Sequence, residues 1–141
     1  MASSYANFIT AFYSKTNVSA VVDTADATKL YGIYDGKAIS GIPVGRMWGI
    51  YNLQGAEKLQ YAFNSTRILE VLYIQLRVYA ENAKNAENLL ATWISTLGNT
   101  LTVTGFTVEW IAEDNRLPPI DQLISDRYVF GRGTLIKVGM S

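Results

Sequence analysis

The sequence has no histidine and no cysteine. Those two absences exclude a Ser-His-Asp triad, a Cys-His pair, a haem ligand set and an ordinary zinc site, each of which needs an imidazole or a thiolate. Disulfide stabilisation goes with them. Charge of one sign is missing too: 12 basic and 12 acidic side chains cancel, and neither forms the run that neutralises phosphates in nucleic-acid binders. Only 17% of residues are charged while 49% are hydrophobic, a balance that argues against disorder. No apolar run approaches the roughly 20 residues needed to cross a bilayer. The start, Met-Ala-Ser-Ser-Tyr, lacks the basic region and apolar stretch of a signal peptide, so the expectation is a soluble chain made in a cytoplasm, with no membrane partner. The 11 glycines form neither Gly-x-Gly-x-x-Gly nor Gly-Lys-Ser/Thr, which leaves phosphate cradling unsupported. Five carboxylates, Glu109, Glu113, Asp114, Asp121 and Asp126, gather around Pro118-Pro119, but their spacing fits no calcium loop and reads as a solvated segment. The expectation is therefore no catalytic, cofactor-binding or metal-binding residue, and no enzyme.

What the chain does have is aromatic side chains, with nine tyrosines and three tryptophans. Low charge density with many aromatics is the composition of protein-facing surface. From Ile68 to Ala80 a strand separates Leu72, Ile74, Leu76 and Val78 from Tyr73, Gln75, Arg77 and Tyr79, as period-two geometry requires. After Asn82, the candidate N-cap, Ala83, Ala86, Leu90, Trp93, Ile94 and Leu97 fall on one helical stripe that ends at Gly98. An aromatic stripe of Tyr5, Phe8, Ile9, Phe12 and Tyr13 predicts a first helix within an N-terminal helical segment, 1–28. Lys29 to Tyr34 reads as a short strand stopped by Asp35-Gly36, and Lys37 to Gly45 as a loop. Strand character returns at Arg46 to Leu53, breaks at Gln54 to Lys58, and resumes at Leu59 to complete a hairpin with the long strand. Gly105 interrupts a run from Leu101 to Ile111. Residues 112–126 are long and proline-broken, which predicts an interaction loop. Gly131-Arg132-Gly133, inside a C-terminal strand from Arg127 to Val138, marks a bulge or the close approach of a neighbouring backbone. The long strand alone would stretch roughly 40 Å, as far as a compact body of this length, about 37 Å across, so one end of the hairpin should curl or project. Together these elements predict one domain over 1–141 of α+β class: an antiparallel or mixed sheet with a long hairpin, covered by helices on one face.

The element order, with Ile74-Gln-Leu-Arg-Val-Tyr-Ala leading into an Ala- and Leu-rich helix that ends at Leu-Gly, resembles the tail terminator and tail completion proteins of long-tailed bacteriophages. In that family the strand has the form x-Val-Gln-Ile-Asp-Val-Tyr-Ala. Gln75, Arg77, Val78 and Tyr79 carry the match, which extends from about Leu30 to Val138. The resemblance implies an α/β sandwich and a homo-oligomeric ring, typically sixfold, that caps the tail tube and joins it to the neck connector in the virion. Strand edges and the long hairpin would close the ring, the genome would pass through the lumen without sequence-specific binding, and no cofactor would be needed. The expected contact residues are Tyr73, Gln75, Arg77 and Tyr79 on the polar strand face, and Arg116, Leu117, Pro118, Pro119 and Ile120 in the long loop. Other readings stay open: a head–tail joining or stopper protein of the same neck, a ligand-binding α+β module, a small carboxylate enzyme, or, for Tyr73 and Tyr79 beside Arg77, a nucleic-acid stacking platform.

Overall fold

Alternating apolar and polar residues force Ile68–Ala80 into a strand with two unlike faces, and in a computed structural model this strand lies inside a mixed sheet. The structure describes residues 4–38, 40–60, 68–124 and 127–141. Their elements are α1 (Ser4–Thr16), β1 (Leu30–Asp35), β2 (Met47–Gln60), β3 (Ile68–Ala80), α2 (Ala83–Leu97), β4 (Val108–Arg116), β5 (Ile120–Ile124) and β6 (Arg127–Met140). The six strands run in the order β1-β2-β3-β6-β4, with β5 also on β6. Only the β1–β2 pair is parallel. Both helices pack on one side of the sheet, so the expected α+β class with one helix-covered face is what the chain adopts.

The core follows from the two stripes. Leu72, Ile74, Leu76 and Val78 of β3 and Ile136 and Val138 of β6 meet Leu90, Trp93 and Leu97 of α2 and Phe8 and Phe12 of α1, all fully or almost fully buried. Trp93 is its centre: the Phe12 ring lies 5.9 Å away and the Tyr51 ring 6.4 Å away. Space for the indole comes from Gly49, where an added Cβ would sit 2.8 Å from the Trp93 ring. Asn82 caps α2 as its position suggests, accepting from the Lys84 amide at 2.8 Å and the Asn85 amide at 3.3 Å. At the other end Gly98, with φ of 66°, returns its N–H to Ile94 O at 3.0 Å.

Two expectations are corrected, and the interruption expected at Gly105 is present. The predicted break at Gln54 to Lys58 is a bulge between Leu53 and Gly55, after which β2 stays paired with β3 as far as Gln60 and Ile68. Pairing along the whole length of β3 outweighs the locally turn-prone composition; the turn beyond it, 61–67, lies outside the described residues. The run from Leu101 becomes strand only at Val108, because Gly105 at φ 80° turns the chain and Phe106 N–H closes on Val103 O. Residues 112–124 are not one long loop. Ala112 to Arg116 belong to β4 and Ile120 to Ile124 to β5, both on the same edge of β6; 125 and 126 lie outside the described residues. Arg116 pairs with Thr134 and Ile120 with Gly131, so the Pro-Pro step inserts a single extra residue. An edge strand accepts proline, whose missing N–H leaves only one side of a ladder short, and the Leu117 N–H keeps that ladder alive by donating to Gly133 O at 3.0 Å.

Gly49→Ala is expected to lose about 1–3 kcal/mol by overpacking against Trp93, measured by urea denaturation. Gly55→Ala, whose Cβ would meet nothing within 4 Å, should unfold close to the parent midpoint. Asn82→Ala should lose about 1 kcal/mol through the lost cap.

Candidate interaction surface

Period-two geometry puts Tyr73, Gln75, Arg77 and Tyr79 on the face of β3 away from the helices. Across the ladder they meet Lys137, Leu135, Gly133 and Gly131 of β6 in turn. The two glycines leave this face thin. At Gly133 a Cβ would lie 2.6 Å from Leu76 O and 3.0 Å from the Leu117 side chain, and at Gly131 it would lie 2.9 Å from the Tyr79 ring. That is the close backbone approach expected of Gly131-Arg132-Gly133.

The two groups of candidate residues therefore come together. Leu117 folds over Gly133, and Arg77 Nη1 donates to Pro118 O at 3.1 Å. Arg77 is 7% exposed, so its guanidinium serves as an internal strut for the Pro-Pro step. Tyr79 lies over Gly131 and stacks on Trp48 of β2, with centroids 5.4 Å apart and planes 16° from parallel. Tyr73 sits nearer the other end, where its hydroxyl donates to Glu57 and Lys137 Nζ lies 5.6 Å from its ring centroid. The Glu57 carboxylate raises the Tyr73 pKa, so the phenol stays a donor. Lys137 is likewise raised by Asp114, its partner at 3.1 Å. Gln75 is half-buried, Pro118, Pro119 and Arg116 are exposed, and Leu117 and Ile120 are intermediate.

Arg116 turns away to the helix side, to Glu113 at 3.0 Å and Glu87 at 3.3 Å. It belongs to a network in which Arg132 reaches Asp121 at 2.9 Å and Glu87 at 3.9 Å. Thr134, fully buried, has its hydroxyl within bonding distance of Glu113 and of Asn115 O. Of the carboxylates read in sequence as a cluster, Glu113, Asp114 and Asp121 are thus spent on arginine, lysine and threonine partners and Glu109 accepts from the Ser141 hydroxyl at 2.6 Å, while Asp126 lies outside the described residues; among the described residues no three acidic side chains converge as a metal site. Sequence reasoning missed Trp48; alternation along β2 places it beside Tyr79 and would have found it.

The sequence matches no protein-family model and no curated protein. Among solved structures, a chain of the virion of the native gene transfer agent particle superimposes with a TM-score of 0.59 over 93% of this chain and 92% of that one, at 14% identity. This chain shares its fold with a virion component. At that identity the likeness is one of fold.

Arg77→Met should remove the strut without unfolding the chain, at roughly 1.5–3 kcal/mol for a bond from a charged donor. Amide exchange at Leu117 should rise ahead of exchange in β3. Equal protection at both would show that the Pro-Pro step holds itself.

Proposed function

We propose that this chain is a structural virion protein of a long-tailed phage-like particle, which assembles as a homo-oligomeric ring, hexameric by resemblance, that terminates the tail tube and joins it to the neck connector. The observation that carries the reading is the near-complete overlap of the fold with a chain of a gene transfer agent virion. The match of Ile74 to Ala80 and the following helix to the terminator pattern narrows it to the tail end. The uncovered sheet face supports it as well: Trp48, Tyr79, Ile50 and Tyr73 are only half-buried there, as aromatic-rich surface awaiting a protein partner would be.

In this role the protein makes and breaks no covalent bond. Ring faces bind the last tube ring on one side and the connector on the other, and the genome passes through the lumen without sequence readout. No helix of the described residues is long and apolar enough to cross a membrane, and the reading needs no membrane partner.

Particles made without this protein should show tails of uncontrolled length that fail to join heads, visible by negative stain. Tails of normal length lacking heads would place the protein at the head–tail joint instead. Native mass measurement of the purified protein, alone and on isolated tubes, should give a ring; a chain monomeric under both conditions overturns the reading.

A further inference from the structure

The β5–β6 hairpin runs past the end of β3. Ala80, the last residue of β3, pairs with Phe130, and two residues further out Leu123 pairs with Tyr128 alone. These two side chains are 60% and 62% exposed. Counting in twos from the buried Thr134 through Arg132 and Phe130 places Tyr128, and Leu123 opposite it, on the helix side of the sheet. The Tyr128 and Phe130 rings lie 6.3 Å apart and Arg132 covers Phe130 at 6.0 Å, so an apolar tip continues outward from the place where Arg132 meets Glu87 of α2.

On the opposite flank of α2 lies a groove of about 340 Å³, floored by Met47 and Leu89 and rimmed by Thr28, Lys29, Asn85 and Asn88. Register sets its height. Trp48 pairs with Tyr79, so Met47 stands in the row of Ala80, and Phe130 and Asp121 occupy that same row. The apolar tip begins about 7 Å, two residues, beyond it.

We propose that the β5–β6 tip of one copy of this chain seats Leu123 and Tyr128 in the groove between residues 27–29 and α2 of the next copy. This rests on the reading of the chain as a ring subunit and names the contact that closes the ring. A projection on one flank and a recess on the other, offset by about 7 Å along the strands, make a heterologous contact, the kind that generates a ring when its rotation closes. Charge agrees at the inner flank of the contact: Asp121, half-exposed beside Arg132 and two residues inside Leu123, would face Lys29, the charged side chain lining the groove. Simple strand addition at the β4–β5 edge is disfavoured by two bulges and by Pro118-Pro119, devices that blunt an edge.

The absence of native cysteine makes disulfide trapping a direct test. Leu123→Cys and Asn88→Cys variants, mixed and oxidised, should give a cross-linked dimer containing one of each, and the double variant a ladder ending at the copy number of the ring. Tyr128→Asp should keep the parent melting curve and weaken assembly by about tenfold or more, as loss of a central aromatic anchor does. A ring of unchanged mass and stability in Tyr128→Asp, without a link between positions 123 and 88, overturns this contact and leaves the ring reading intact. A link from position 123 to a tube or neck protein in place of a second copy also overturns it. A chain that never assembles, alone or on tubes, overturns both.

Discussion

The ladder between β3 and β6, unbroken from Glu70 opposite Met140 to Ala80 opposite Phe130, is the constraint on which the rest of the structure depends. A slip of one residue would turn Leu72 to Val78 out of the core and drive Tyr73 to Tyr79 into it. The two faces it separates are built to different rules. On the helix side bulk dominates, with Trp93 filling the space that Gly49 leaves. On the far side β6 presents Gly131, Gly133 and Gly139, and Tyr79, Leu117 and Trp110 lie over them. That side is roofed over β6 by the chain's own side chains and stays open over β2 and β3.

The same thinness explains why a proline pair can sit where it does. Leu117 can pack onto the sheet only because Gly133 has no side chain, and Arg77 then reaches the Pro118 carbonyl. Around the edge, Glu87, Glu113 and Asp121 share Arg116 and Arg132. Each of these pairs is partly exposed and contributes little to stability by itself. Their effect is geometric: they tie β4, β5 and β6 to one turn of α2 and so fix the direction in which the β5–β6 tip leaves the body.

Much of this was legible before any coordinates. The alternation of β3, the stripe of α2 and both of its caps are local signals, and local signals survive. The glycines at 131 and 133 were readable as a close approach because a strand interior has little other use for them. What misled was Pro118-Pro119. In a central strand the pair would have ended pairing, and nothing in a single sequence says that a segment will be an edge, where the missing N–H groups cost little. The parallel β1–β2 pair was hidden for a related reason, since the orientation of two short strands leaves no mark on their residue pattern. Arg77 looked like surface because it alternates with Leu76 and Val78; its burial depends on a segment more than forty positions away in the chain, as Pro118 shows. The tip and the groove were out of reach altogether, because their relative height is a sum of registers across four strands.

A joint between two unlike assemblies must itself have two unlike ends. An isologous contact repeats the same patch on both partners and, by its two-fold axis, makes the ends of a ring identical. A heterologous contact between opposite flanks of α2 does not. It leaves the two ends of every strand pointing the same way in all copies, with the β2–β3 hairpin, whose last pair Gln60–Ile68 lies beyond Met140, toward one side and the N-terminus of α2 toward the other. A ring closed by tip and groove would thus acquire its polarity from the sheet itself, and would meet a tube with one set of side chains and a connector with another.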